Sequence, residues 1–371
     1  MPPAVYLDYN ATAPLRPEAE AALKAALRET GNPSSVHGFG RRARRLVEDA
    51  REVLAELVGA RPASVIFTSG GSEANNLALA GLPGRRIVTS AIEHDSVLQA
   101  APQAARIPAD ADGVIDLAAL EAELARDAEP ALVSVMLANN ETGVLQPLDR
   151  AVALAARHGA LVHCDAVQAA GKVEIEISAL GVAALSLSAH KLGGPLGAGA
   201  LVLAEGIELT PQIRGGGQER RRRAGTENVP AIAGFGAAAR VALENPGPDQ
   251  DLAALRDALE ARLAALAPEI RVFGARASRL ANTSCFALPG LAAETQVMAL
   301  DLAGVAVGAG AACSSGKVEP SHVLRAMGAD RETAASAIRV SLGWASRKAD
   351  IDHFLEAWEG LYRRRQAAPA A

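Results

Sequence analysis

Ala160-Leu-Val-His-Cys-Asp165-Ala-Val-Gln168 and Leu185-Ser-Leu-Ser188-Ala-His190-Lys191-Leu-Gly-Gly194 are the two stretches on which the fold turns. Each is a short apolar run without strict alternation that stops at polar residues. Such runs suit strands covered on both faces, the condition of a parallel sheet. Residues 65–67 before Thr-Ser-Gly-Gly, 131–137 before Ala-Asn-Asn-Glu, and 198–203 follow the same habit. Helical spacing fills the gaps at 41–58, 72–80, 116–126 and 148–158. Alternating strands and helices predict an α/β fold with a mainly parallel sheet, whose ligands sit at the carboxyl ends of its strands. The polar clusters fall at those ends.

Working outward, Asn245-Pro-Gly-Pro-Asp-Gln250 is the expected linker. Beyond it a helix is predicted at 252–266 and strands at 271–273 and 284–288, followed by a frayed tail at 366–371. The large domain is expected at 15–245. Residues 1–14 and 246–371 are assigned to a smaller α+β domain.

Half of the 371 residues are apolar and 21% are charged, enough to bury a large core. Net charge is −5, from 37 basic and 42 acidic residues, so neither nucleic acid nor an anionic membrane is an expected partner. The clusters 41–45 and 220–223 are taken as solvated faces. Three cysteines without a CxxC exclude a disulfide framework and a Cys-rich zinc site, and His37, His158 and His353 show no metal-ligand spacing. Asp8 arrives too early for a secretory signal, and no apolar run reaches membrane-spanning length. A cytoplasmic protein is expected.

Four clusters look chemical. Asp165 at a strand end suits a helix N-cap or, alternatively, the counter-charge of a ligand cation. Lys191, alone, is a turn lysine; desolvated at a strand end it can form a Schiff base with an aldehyde. Thr68-Ser-Gly-Gly71-Ser72-Glu is either an ordinary capped turn or a phosphate cup built from helix N-terminal N–H groups. Cys313, in Gly308-Ala-Gly-Ala-Ala-Cys313-Ser-Ser-Gly316, has little to pack against and is expected on an exposed loop; a free thiol there points to chemistry or to an inert loop cysteine. Cys164 and Cys285 lie in apolar runs and are expected to be buried. His94 is ambiguous alone. Taken together, a Schiff-base lysine, a strand-end carboxylate for a pyridine nitrogen and a phosphate cup are what pyridoxal 5′-phosphate requires. Asp165 precedes Lys191 by 26 residues, enough for one helix and a return to the sheet.

From Tyr6-Leu-Asp-Tyr-Asn-Ala-Thr-Ala-Pro14 to about Trp344 the chain resembles the cysteine desulfurases of the NifS/IscS type, within the class V aminotransferases. The motifs are Gly31-Asn-Pro-Ser-Ser35, Thr68 to Asn76, Glu93-His94, Asn139-Asn-Glu-Thr-Gly143, His163 to Gln168, Ser188-Ala-His-Lys191, Arg223-Ala-Gly-Thr-Glu-Asn228 and Ala312-Cys313-Ser-Ser-Gly316. The resemblance implies a type I pyridoxal-phosphate transferase fold with a seven-stranded sheet. By the same resemblance Lys191 carries the cofactor and moves the substrate Cα proton, and Asp165 pairs with the pyridinium. Gln168 bonds the ring oxygen, Asn140 lies near ring and substrate, and His94 stacks on the ring. Gly71, Ser72, Ser188 and His190 hold the phosphate. Thr226 reaches the partner subunit's phosphate, which implies a homodimer. Asn32 and Arg339 clamp the carboxylate of L-cysteine, and Cys313 takes its sulfur as a persulfide for an acceptor, an iron–sulfur scaffold or a sulfur carrier. Another class V enzyme, an aminotransferase or a selenocysteine lyase, is the alternative; a transaminase has no need of Cys313. One departure from the family pattern is Arg221, which stands where glycine is commoner.

Overall fold

The structure, a computed structural model, describes residues 5–82, 85–246, 249–309 and 320–367, and the backbone alone of 313–314 and 317–318. Strand β1 (Val5–Leu7) opens the chain. A seven-stranded sheet follows, built from β2 (Val65–Thr68), β3 (Arg86–Ser90), β4 (Ala105–Ile107), β5 (Ala131–Met136), β6 (Leu161–Asp165), β7 (Ala184–Ser188) and β8 (Gly199–Leu203). Its order is β2-β8-β7-β6-β5-β3-β4. The pairs from β7 to β4 are parallel, whereas β8 runs antiparallel to both neighbours. Every residue of β2, β5, β7 and β8 is buried, which is why these strands lack alternation.

A second sheet contains β1 with β9 (Arg271–Val272), β10 (Thr283–Ala287), β11 (Val305–Ala309) and, past the short ladder of β12 (Cys313–Ser314) with β13 (Lys317–Val318), β14 (Ala337–Ser341). Its order is β1-β11-β14-β10-β9, and β1 pairs parallel to β11, 300 residues later in the chain. Each sheet has its own large apolar cluster. Phe235, Leu54 and Val135 belong to the first; Trp358, Phe354 and Phe286 belong to the second.

The strands and helices expected at 65–67, 131–137, 198–203, 41–58, 72–80, 116–126 and 148–158 are met in type and adjusted in length. β6 continues past its apolar start through Cys164 to Asp165, because Asp165 pairs in register with Met136 on one side and Ser186 on the other. Cys313, expected on an open loop, has its backbone in the two-residue ladder, while its side chain and the neighbouring residues 310–312, 315–316 and 319 lie outside the described residues. So do 247 and 248 of the expected linker and 368–371 of the tail; residues 348–367 of the tail side are a regular helix. Cys164 and Cys285 are free and buried, as expected. No helix among the described residues is long and apolar enough to cross a membrane.

One buried ion pair fixes the edge of the first sheet. Arg51 Nη1 and Nη2 donate to the two Glu219 carboxylate oxygens at 2.7 and 2.8 Å, and Glu219 also accepts the Phe67 N–H at 2.9 Å. Glu219, Arg220 and Arg221 all have positive φ (44°, 56° and 66°), a left-handed run that costs non-glycine residues about 1–2 kcal/mol each. The commoner glycine at position 221 is thereby explained.

Candidate active site

The carboxyl ends of β2, β6 and β7 place their polar residues on one rim of the sheet. Asp165 ends β6 and is buried. Its Oδ2 accepts from Asn75 Nδ2 at 2.7 Å, and its Oδ1 from the Val167 N–H at 2.9 Å. β7 ends at Ser188, and the 3₁₀ turn Ala189–Lys191 carries the lysine. The Lys191 ammonium donates to the carbonyls of Asn10 (2.5 Å) and Ala11 (3.0 Å). Burial first, then the nearby Arg339 charge, lowers its pKa to about 8, with Asp8 and Asp165 opposing. His190 Nδ1 meets Thr12 Oγ1 at 2.7 Å; burial and then Lys191 push its pKa down to about 4, so the ring is neutral.

Past β2, the helix Gly71–Gly81 begins at the cup, with Ser72 exposed. His94 is exposed and caps the short helix Asp95–Leu98, its Nδ1 facing Ser96 Oγ at 2.8 Å. Gln168 Nε2 donates to the Asn10 carbonyl at 2.8 Å.

From the second sheet, Arg339 in the middle of β14 is buried. It donates to Asp8 Oδ1 at 2.7 Å and to the Asn140 carbonyl at 3.0 Å, while its Nε–H has no partner among the described residues. Asn140 thus joins the rim through its backbone, which also accepts from Asn10 Nδ2 at 3.1 Å. Ten of the residues singled out in the sequence therefore gather in one region: Gly71, Ser72, His94, Asn140, Asp165, Gln168, Ser188, His190, Lys191 and Arg339. Of the other three, the Cys313 side chain lies outside the described residues, and among those residues Asn32 and Thr226 make no hydrogen bond to the ten. Asn32 is exposed and its Oδ1 accepts the Ser34 N–H at 2.8 Å; Thr226 is exposed on the segment after Arg223.

Residues 5–354 match the family described as Aminotransferase class-V. The chain belongs to the class V aminotransferases. It is 48% identical to the "Cysteine desulfurase" of Cereibacter sphaeroides over 95% of this chain and 94% of that one. With the "IscS-like cysteine desulfurase" of Mycobacterium tuberculosis identity is 40%, over 99% of this chain and 98% of that one. Among solved structures, the NifS-like protein of Rickettsia africae superposes with a TM-score of 0.90 at 36% identity, covering 97% of this chain and 99% of that chain. Within the class V aminotransferases, then, the chain is of the NifS/IscS desulfurase type, on a type I fold.

Pyridoxal 5′-phosphate is the cofactor of class V aminotransferases, and the residues here fit it. Ser188 Oγ and Asn75 Oδ1 are buried polar atoms with no partner among the described residues, one beside the cup and one beside Asp165. A buried orphan costs about 1–3 kcal/mol, which a bound phosphate or ring would remove. The cup is also kept open by glycine: a Cβ on Gly71 would stand 2.7 Å from Val167 Cγ2 and 3.4 Å from the Ser188 Cβ.

Several functional residues escaped sequence reading. Asn10 is a hub: its carbonyl receives Gln168 and Lys191, and its side chain meets Thr283 Oγ1, Asn282 Nδ2 and the Asn140 carbonyl. Asn75 holds Asp165, and Ser96 Oγ at 2.9 Å holds Asn75. Glu93 is fully buried, accepts from Ser90 Oγ and the Met136 N–H, and has its pKa pushed up by burial to about 8. The motifs Thr68–Asn76 and Glu93-His94 contain two of these residues, but only the fold reveals what each one touches.

Proposed function

We propose that this chain removes the sulfur of L-cysteine, with pyridoxal 5′-phosphate held at Lys191, and leaves L-alanine and a persulfide on Cys313. The observation that carries the reading is Lys191, lowered to about pH 8, beside a buried Asp165 and an unpartnered Ser188 hydroxyl at adjacent strand ends. When bound, the cofactor supplies the electron sink that lets bonds at the substrate Cα and Cβ break.

The chain's own residues do the rest. Asp165, held by Asn75, stands ready to pair with a ring cation. Gln168 offers an N–H to the ring oxygen, and Asn140 lies beside ring and substrate. The exposed His94 ring is free to stack. Gly71, Ser72, Ser188 and neutral His190 supply phosphate donors. Arg339, whose Nε–H is unused among the described residues, binds the substrate carboxylate, and Asn32 is assigned to the same carboxylate by its motif. Lys191, neutral in a useful fraction near pH 8, accepts and returns the Cα proton. Cys313 thiolate attacks the substrate sulfur. The S–S bond forms as the Cβ–S bond breaks, and the electron pair left on carbon takes a proton to give alanine. The persulfide then passes to an acceptor protein, an iron–sulfur scaffold or a sulfur carrier. Thr226, exposed on its segment, would serve the phosphate of a second copy of the chain, and a homodimer is the working form that goes with this reading. Free Cys164 and Cys285 suit a reducing cytoplasm.

The test is intact mass after incubation with L-cysteine. A gain of one sulfur on the peptide containing Cys313, lost in Cys313→Ser together with sulfide release, is the expected result. Alanine formation without that gain refutes the assignment of Cys313.

A further inference from the structure

Lys172 has no part in the reading above, yet it is wired to the lysine that does. Its Nζ donates to both the carbonyl and the side-chain Oε1 of Gln168, each at 3.0 Å. Among the described residues no carboxylate lies within ion-pair distance of it. On its other side Gln168 donates Nε2 to the Asn10 carbonyl, and the same carbonyl receives the Lys191 ammonium. This chemistry permits one orientation of the Gln168 amide. Oxygen towards Lys172 and nitrogen towards Asn10 satisfies both contacts; the flipped amide would set N–H against N–H and oxygen against oxygen.

We propose that Lys172 is a positioning residue for Lys191: by occupying Gln168 Oε1 it keeps an N–H, and never an acceptor, on the side of the amide that Lys191 shares. An acceptor there would bind the Lys191 ammonium and hold it in its unreactive charged form. Lys172 donates to Gln168 whether or not it is charged, so the lowering of its own pKa to about 7 by burial and by Lys191 leaves the device intact. The other groups facing Lys191 are Arg339 on β14, which lowers its pKa, Asp8 after β1 and Asp165 on β6, which raise it, and the adjacent His190. None of these touches the Gln168 amide.

The inference rests on Lys191 as the cofactor lysine, and the experiment separates the two. The full-length protein is freed of cofactor and mixed with pyridoxal 5′-phosphate across pH 6–10. The rise of absorbance reports condensation of amine and aldehyde to a C=N bond with release of one water. Borohydride reduction followed by peptide mapping then locates the label. Label on Lys191 upholds the cofactor reading; label elsewhere withdraws it, and this inference with it.

Wild type should show a midpoint near pH 8, following Lys191. Lys172→Met should move the midpoint up by about one unit, so that capture at pH 7 slows roughly tenfold. Lys172→Arg, which keeps a donor on Oε1, should restore it. With Gln168→Met in place, Lys172→Met should have no further effect. An unmoved midpoint in Lys172→Met overturns the inference. So does an equal shift in the Gln168→Met background, which would mean that Lys172 acts through its charge alone.

Discussion

Replacing Glu219 with alanine is expected to destabilise the protein by about 3–5 kcal/mol without touching the rim of the active site. The Arg51 and Glu219 side chains are only 7% and 1% exposed, so their pairing is not screened by water. Removing one member of such a pair typically costs about 3–5 kcal/mol, because the other charge stays buried. Arg51 retains Glu48 at 3.2 Å and the Val65 carbonyl at 2.8 Å, which favours the lower end. The Phe67 N–H loses its acceptor as well, adding about 1–3 kcal/mol. Against this, residues 219–221 are released from their left-handed run, returning about 1–2 kcal/mol for each that relaxes. The net is a large fraction of the roughly 5–15 kcal/mol by which proteins are stable. Urea unfolding followed by circular dichroism measures it, with the shift in midpoint at constant slope as the readout. The double variant Arg51→Met with Glu219→Leu should recover most of the loss, since matched apolar residues replace a buried pair at little cost. A single variant within 1 kcal/mol of wild type, or a double variant no better than the single, would show that the pair is not what holds this edge.

Arg221→Gly should raise stability by about 1 kcal/mol in the same urea assay, because glycine adopts a φ of 66° freely. Gly71→Ala should weaken cofactor retention at least tenfold, on the order of 1.4 kcal/mol, and Gly71→Ala with Val167→Ala should regain it, since Val167 Cγ2 is what the new methyl meets; equilibrium dialysis against pyridoxal phosphate decides. Arg339→Lys should raise the KM for cysteine by about 10–100-fold, as an ammonium cannot reproduce the planar fork; an unchanged KM would remove Arg339 from the substrate site. Glu93→Gln tests pH. The carboxyl rises from 4.5 when exposed to about 8 when folded, so the unfolded chain loses this proton first and stability falls as pH climbs through that interval. The variant should match wild type below pH 4.5 and gain on it up to pH 8–9, and parallel stability curves would contradict the burial argument.

The first sheet was readable because its strands are buried on both faces and end in polar residues, as β5, β6 and β7 do. β3 escaped notice because Arg86 opens it, directly after Arg85, and the apolar run behind that charge is only Ile87-Val88. The second sheet was largely hidden: β1 makes sense only as a neighbour of β11 and β14 only as the strand between β11 and β10, and no local pattern announces the pairing of β1 across 300 residues. The same reason applies to the site. Lys191 and Asp165 stood out because a charge at the end of an apolar run is costly unless used. Asn10 and Asn75 carry no such cost, since amides are ordinary in turns and helix starts, and their work is with residues far away in sequence. Lys172 follows a glycine in an unremarkable turn, and only its contact with Gln168 distinguishes it. Thr226 and Asn32 are named by motif alone.

The position of Asn10 has a consequence for biosynthesis. Asn10 and Ala11 supply the carbonyls against which Lys191 rests, yet they are fixed there by β11 and β14, which are translated some 300 residues later. A nascent chain with its first sheet already folded therefore has Lys191 and Asp165 without a floor beneath them. Vitamin capture must wait until β14 has been made, and a message truncated before codon 337 should yield a polypeptide that stays colourless.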